Sequence, residues 1–238
     1  MTILAIIQAR VGSTRFPEKV LAPLAGIPLV THVIRRVCAT ETPIRVCLAI
    51  PDTPENDRLA EIGKAEGVLV YRGHEHDVLA RYWWASQLVP DADCIVRVTS
   101  DDPFKDPWLI DAAVNLYLTE WADQRPNILP PEYVWLGGPT WPLGCDVEVF
   151  SRKALDLMHT TVTAAAEREH VTLWGRRNLS PWVIRNPTGM GDYHARWTID
   201  TVQDYAFAVK AYDALYADNP LFGFRELAAA GWLDKEGK

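Results

Sequence analysis

Ile3-Leu4-Ala5-Ile6-Ile7, followed after Gln8 and Ala9 by Arg10-Val11-Gly12-Ser13-Thr14-Arg15-Phe16-Pro17-Glu18-Lys19, decides how the chain is read. The first five residues form a short continuous apolar run, as expected of a strand covered on both faces in a parallel sheet. The ten residues from Arg10 hold three cations, two hydroxyls and one glycine. Farther along the chain, Arg45 to Ile50, Val68 to Tyr71 and Cys94 to Thr99 repeat the apolar, β-branched type. Between them lie helical patterns. Leu29, Val33, Ile34 and Val37 make an apolar stripe that predicts a covering helix over Leu29 to Thr40. Thr53-Pro54-Glu55 is a helix start and Gly67 a stop. This alternation predicts an α/β fold with βαβ units and a Rossmann-like, doubly wound, mostly parallel sheet. Ligands in such sheets bind beyond the carboxyl ends of the strands, here just after Ala9, Ile50, Tyr71 and Thr99.

Composition narrows the classes. At 238 residues the chain is above the roughly 100–200 of a typical domain yet within reach of one α/β unit, and 1–238 is read as a single domain. Its 48% hydrophobic and 23% charged residues exclude disorder and a small disulfide scaffold. The net charge of −7 repels polyanions, so nucleic acid is not the expected partner, and an anionic substrate needs a local cluster of cations. Cys38, Cys47, Cys94 and Cys145 form no C-x-x-C pair, which removes support for zinc and fits a reducing cytoplasm. The apolar amino terminus is brief, lacks a basic leader and is interrupted by Arg10. No run approaches the roughly 18 apolar residues of a membrane span. Ten tryptophans could build a carbohydrate platform or simply fill a core.

Three segments carry chemistry. The Arg10–Lys19 loop, at a strand exit, could wrap a polyphosphate with backbone N–H groups and cationic side chains, or be a solvated basic loop. Neither G-x-x-x-x-G-K-[ST] nor G-x-G-x-x-G is present, so a P-loop ATPase and a dinucleotide enzyme lose their main support. At the fourth strand exit, Thr99-Ser100-Asp101-Asp102-Pro103 sets two carboxylates side by side. Either they share a hard dication such as Mg²⁺ with phosphate oxygens, or they cap a helix opening at Pro103 or Pro107. In Arg196-Trp197-Thr198-Ile199-Asp200-Thr201-Val202-Gln203-Asp204, Thr201 and Asp204 form a capping box for a helix from Tyr205 to Tyr216. Asp200 lies one residue before that cap and is free to complete a site begun by Asp101.

Ile7 to Leu21 resembles the amino-terminal signature of the sugar-acid cytidylyltransferases, nearest to the spore-coat polysaccharide biosynthesis protein F type. That branch is related to the acylneuraminate and ketodeoxyoctonate cytidylyltransferases. Arg72 to Tyr82, Arg97 to Pro107, Asp146 to Phe150, Glu167 to Thr172 and Arg196 to Thr201 resemble the branch's later blocks in order, so the likeness spans residues 3 to 216. It implies a fold of the nucleotide-diphospho-sugar transferase type and a Mg²⁺-dependent enzyme that transfers CMP from CTP to an acceptor oxygen, releasing pyrophosphate. Carried over, Arg10, Gly12, Ser13, Arg15 and Lys19 hold the triphosphate, Arg72 and Asp77 lie near base and ribose, and Asp101 and Asp200 hold the metal. Arg10, Lys19, Asp101 and Asp200 are then the catalytic set. Two positions depart from the pattern: Glu18 stands where glycine is common, and Asp102 where Asn, Cys or Glu is usual.

The acceptor side is read from Asp146 and Glu148, which alternate along a strand and share a face, while His170, by its residues a solvated helix face, is by the resemblance an acceptor-side or dimer-side candidate. The excursion around 127–175 that carries them is a β-hairpin either lining the acceptor pocket or joining a homodimer, as the resemblance implies. His74 and His76 flank Glu75 without a third ligand at metal spacing and are read as loop. A metal-dependent glycosyltransferase would share the sheet, but its D-x-D is missing. A catalytically silent nucleotide-binding partner would have no need of all the cationic and acidic positions.

Overall fold

The computed structural model describes residues 1–122, 132–186 and 195–233. The opening run becomes β1 (Thr2–Gln8), which pairs in parallel with β4 (Arg45–Pro51) and β6 (Ala92–Thr99), while β5 (Leu69–Gly73) pairs in parallel with β4. Between β1 and β4 a short antiparallel ribbon, β2 (Pro23–Leu24) and β3 (Ile27–Pro28), precedes α1 (Leu29–Cys38). The remaining helices of the parallel half are α2 (Asp57–Ala65), α3 (Val78–Ser86) and α4 (Pro107–Ala122). The hairpin strands β7 (Tyr133–Leu136) and β8 (Val147–Ser151) pair antiparallel to each other, and β8 joins β6 antiparallel. After α5 (Arg152–Thr161), α6 (Ala165–Glu169) and α7 (Leu173–Asn178), β9 (Trp182–Ile184) runs parallel to β7. The sheet order is β5-β4-β1-β6-β8-β7-β9. The expected β-hairpin is present, and its two strands extend the sheet. The first residues of the expected excursion, 127–131, lie outside the described ones. The chain ends in α8 (Val202–Leu215) and α9 (Phe224–Ala229).

Strand alternation divides the core. Ile3, Ala5 and Ile7 face the cluster that includes α1, α4 and α8 side chains, whereas Leu4 and Ile6 face the one built with α3 and α5. This is why β1 reads as continuously apolar rather than alternating. Trp141 and Trp197 are buried in the first cluster, so core filling accounts for them.

The helix ends follow local chemistry. Thr201 and Asp204 form the expected capping box of α8. Neither Asp101 nor Asp102 caps α4. Asp106 does so, accepting a hydrogen bond of 2.9 Å from the Trp108 amide, with Pro107 as the first helical residue.

His32 on α1 is enclosed between the Leu24 carbonyl, 2.8 Å from its Nε2, and the rings of Tyr212 and Tyr216. Burial, outweighing that hydrogen bond, lowers its pKa from 6.5 to about 4. The unfolded chain takes up this proton near the ordinary histidine value and the folded one does not, so stability is lost as pH falls from 6.5 toward 4. Urea unfolding at about pH 7 and about pH 5 should differ by about 2 kcal/mol more in the native chain than in His32→Gln.

Candidate active site

The β1–β6 register brings two of the sequence segments together. Gln8 and Thr99, the last residues of adjacent parallel strands, are Cα partners, and the Ser100 amide donates to the Gln8 carbonyl over 3.1 Å. The basic loop after β1 and the Ser100–Asp101 segment after β6 thus leave the sheet side by side. The third segment joins them through the backbone, where the Ile199 amide donates to the Asp101 carbonyl over 2.8 Å.

Lys19 sits where the three meet. Glu18 adopts φ 56°, in the left-handed region that favours glycine, and Lys19 then opens a single 3-10 turn with its side chain only 11% exposed. Its Nζ donates to Asp101 Oδ2 at 3.0 Å, Asp200 Oδ1 at 3.0 Å and the Ile199 carbonyl at 2.6 Å. Two aspartates far apart in sequence therefore lie on one cation, their oxygens no further apart than twice that ion-pair distance. Arg15 reaches Asp200 Oδ1 at 2.9 Å and Arg196 pairs with Asp200 Oδ2. Burial alone would raise the Asp200 carboxyl, but Lys19, Arg15 and Arg196 outweigh it and hold it below the usual carboxylate range.

These groups border a cavity of about 390 Å³. Arg10, Ser13, Arg15, Lys19, Asp101 and Asp200 all line it, and His170 with Glu169 closes it from the α6 side, where Glu169 pairs with Arg10 at 3.3 Å. Glu18 is exposed and does not line the cavity, so the departure from glycine is felt in backbone conformation. Asp102 is turned inward, accepting from the Thr99 hydroxyl and pairing with Lys105 at 3.0 Å. Burial raises its carboxyl, with Lys105 opposing.

Other expected residues stand elsewhere. Arg72 is anchored outside the cavity lining by Asp52 at 2.9 Å and Asp57 at 2.6 Å. Asp77 caps α3, accepting from the Ala80 amide, and pairs with Arg168 at 2.8 Å. Gly12 is exposed on the loop and Asp146 accepts from the Gly144 amide, neither lining the cavity. Asp146 falls one residue before β8, so it does not alternate with Glu148 along the strand as expected, and Glu148, which is on the strand, is 1% exposed and not in the cavity wall. Four donors draw it inward: Arg97 at 2.6 Å, Arg176 at 2.7 Å, Thr172 at 2.9 Å and the Tyr133 hydroxyl. Burial would raise this carboxyl, but Arg97 and Arg176 bring it down to about 2.

Arg81 and Arg97 also line the cavity and were not singled out from the sequence. A signal was present. An arginine in the middle of an apolar strand, as in Cys94-Ile95-Val96-Arg97-Val98, must find a partner when the strand is covered on both faces. No group of three or more metal-binding side chains occurs among the described residues, so the carboxylate pair is the available donor set there. His74 and His76 are exposed, and no helix among the described residues is long and apolar enough to cross a membrane.

Comparison with known proteins fits this arrangement. A family model described as cytidylyltransferase matches residues 4–226. The spore coat polysaccharide biosynthesis protein SpsF of Bacillus subtilis is 31% identical over 211 residues, covering 85% of this chain and 83% of that protein. A 3-deoxy-manno-octulosonate cytidylyltransferase of Trichlorobacter lovleyi is 41% identical over 120 residues, 50% of this chain and 46% of that one. Among solved structures, a cytidylyltransferase from Leptospira borgpetersenii superposes with a TM-score of 0.86 at 26% identity, covering 97% of this chain and 93% of that chain. A Rossmann-like sheet whose strand exits gather a basic loop and two aspartates thus coincides with a family match running nearly end to end: the chain belongs to the cytidylyltransferases and is a nucleotidyltransferase.

Proposed function

We propose that the protein transfers CMP from CTP to an oxygen of a sugar acid or similar small acid, with release of pyrophosphate. The observation that carries this reading is the convergence of Asp101 and Asp200 on Lys19, one of the basic loop's three cations, with Arg15 on the same Asp200. A pair of hard carboxylate oxygens around a single positive centre fits Mg²⁺, which binds through one or two carboxylates and phosphate oxygens. When bound, the ion neutralises charge on the triphosphate and polarises the α-phosphoryl group.

The protein's own part is to position and to neutralise. Arg10, Arg15 and Lys19, with the Ser13 hydroxyl and the loop amides around Gly12, grip the triphosphate so that pyrophosphate leaves toward fixed positive charge. Asp101 and Asp200 orient Lys19 and supply the metal's protein ligands. The acceptor oxygen then attacks the α-phosphorus opposite the leaving pyrophosphate, and holding both reactants in one cavity supplies much of the rate. His170, in the cavity wall, is assigned to the acceptor side; Asp146, Arg72 and Asp77 act at one remove, through the segments they anchor. A homodimer joined through the 127–175 region belongs to the same reading.

The test is a screen of nucleoside triphosphates against sugar acids with Mg²⁺, read as pyrophosphate release. CTP with at least one sugar acid should give sustained turnover. Release of a nucleoside diphosphate from a nucleotide sugar would instead favour a glycosyltransferase, and CTP binding with no turnover across the panel a silent binding partner.

A further inference from the structure

Arg10, Arg15 and Lys19 each have a carboxylate of the same cavity opposite them, Glu169, Asp200 and Asp101 with Asp200 respectively. Arg81 and Arg97 do not. Arg81, on α3, is 2% exposed; its hydrogen bonds among the described residues go to the backbone carbonyls of His74 and Glu75, both at 2.6 Å, and its Nε has none. Burial lowers its pKa to about 10, more than the nearby Asp77 and Glu75 carboxylates restore, and neither of them is hydrogen-bonded to it. Arg97, on β6, faces Glu148, but that one carboxylate is shared with Arg176, so the group keeps an excess positive charge. The Nε of Arg97 is likewise buried without a partner among the described residues. Arg81, with no carboxylate bonded to it, and Arg97, with only a carboxylate shared with Arg176, each keep a buried Nε without a partner among the described residues and border a polar cavity. Buried cations are retained in such a position when an anion completes them.

We propose that Arg81 and Arg97 form a second anion-binding position in the cavity, apart from the triphosphate loop, that takes the carboxylate of the acceptor. The inference rests on the cytidylyltransferase reading and deepens it, since it says which end of the acceptor is gripped. A planar carboxylate matches the fork of a guanidinium, which fixes orientation as well as position. Glu148 is a positioning residue here: bonded to Tyr133, Thr172 and Arg176, it fixes the Arg97 fork from behind. The Thr172 contact also tethers the turn at Val171, a β-branched residue at φ 57°, whose preceding residue His170 lines the cavity.

The test uses the full chain saturated with CTP and Mg²⁺ and titrated calorimetrically with pyruvate, with methyl pyruvate as the uncharged control and with inorganic phosphate. Pyruvate should bind the native protein with methyl pyruvate at least tenfold weaker. Arg81→Met and Arg97→Met should each weaken pyruvate at least tenfold while changing CTP affinity less than threefold. Arg97→Lys keeps a buried charge beside Glu148 and should lie between. The inference is overturned if pyruvate does not bind the native protein, if phosphate binds more tightly than pyruvate, or if the replacements weaken CTP as much as pyruvate. Failure of the native chain to bind CTP at all would instead count against the cytidylyltransferase reading. Ordinary CTP binding with pyruvate indifferent to both replacements sinks this inference alone.

Discussion

Asp101→Ala and Asp200→Ala each lower kcat/KM for CTP-dependent pyrophosphate release by about two orders of magnitude or more, equivalent to about 3 kcal/mol of transition-state stabilisation. Each removes one of the two oxygens that meet at Lys19 and, in the proposed complex, half of the protein's donor set for the metal. The Asp200 change also takes from Arg15 and Arg196 their shared partner, so the basic loop loses a tie to the segment that leads into α8 and the larger defect is expected there. Stability should fall by less than activity. Asp101 and Asp200 are partly exposed, at 29% and 17%, and loss of either leaves Lys19 paired with the other. Thermal midpoints measured beside the kinetics separate the two effects; near-native turnover of folded variants would remove the metal assignment.

Glu148→Gln is expected to act in the opposite way, on stability first. The carboxylate is 1% exposed and is the shared counter-charge of Arg97 and Arg176, so neutralising it leaves two guanidiniums facing each other across an amide. Breaking a buried pair by removing one partner costs about 3–5 kcal/mol. In a chain of this size that lowers Tm by on the order of 10 °C. The acid limb carries the same signature. The folded-state value of about 2 lies below the unfolded one of 4.5, so the contribution is intact above pH 4.5 and is lost as pH falls toward 2. This window overlaps that of His32 only between about pH 4.5 and 4, so the two groups can be read largely separately in one pH series. A Glu148→Gln/Arg97→Met double variant should be less destabilised than the sum of the single changes, because its second replacement removes one of the stranded charges. Strict additivity would show that the pair is not coupled.

The parallel half of the sheet was legible because burial on both faces leaves a plain mark, a run without polar alternation, in Ile3 to Ile7 and again in Arg45 to Ile50 and Cys94 to Thr99. Helix entry at Thr201 was equally local, since a capping box is closed within four residues. The alternatives left open at Asp101 and Asp102 were not local. Their adjacency in sequence hides opposite directions, one toward Lys19 and the cavity, the other toward Lys105 and the interior, and Asp106 rather than either serves α4. Glu148 shows the same limit. Strand alternation gives its face but not its depth, and depth decided whether it meets a ligand or four protein donors.

By itself the sequence determined that a cationic, hydroxyl-bearing loop leaves a buried parallel strand, and that two acidic segments also stand at strand or helix ends. Periodicity and capping depend on residues a few places apart. Only the tertiary structure decided which charges share a site: the Gln8–Thr99 register and the Asp101–Ile199 backbone hydrogen bond set three distant segments against one another. Coulomb interaction and burial depend on distance in space, and that distance is fixed by packing the whole sheet and its helices.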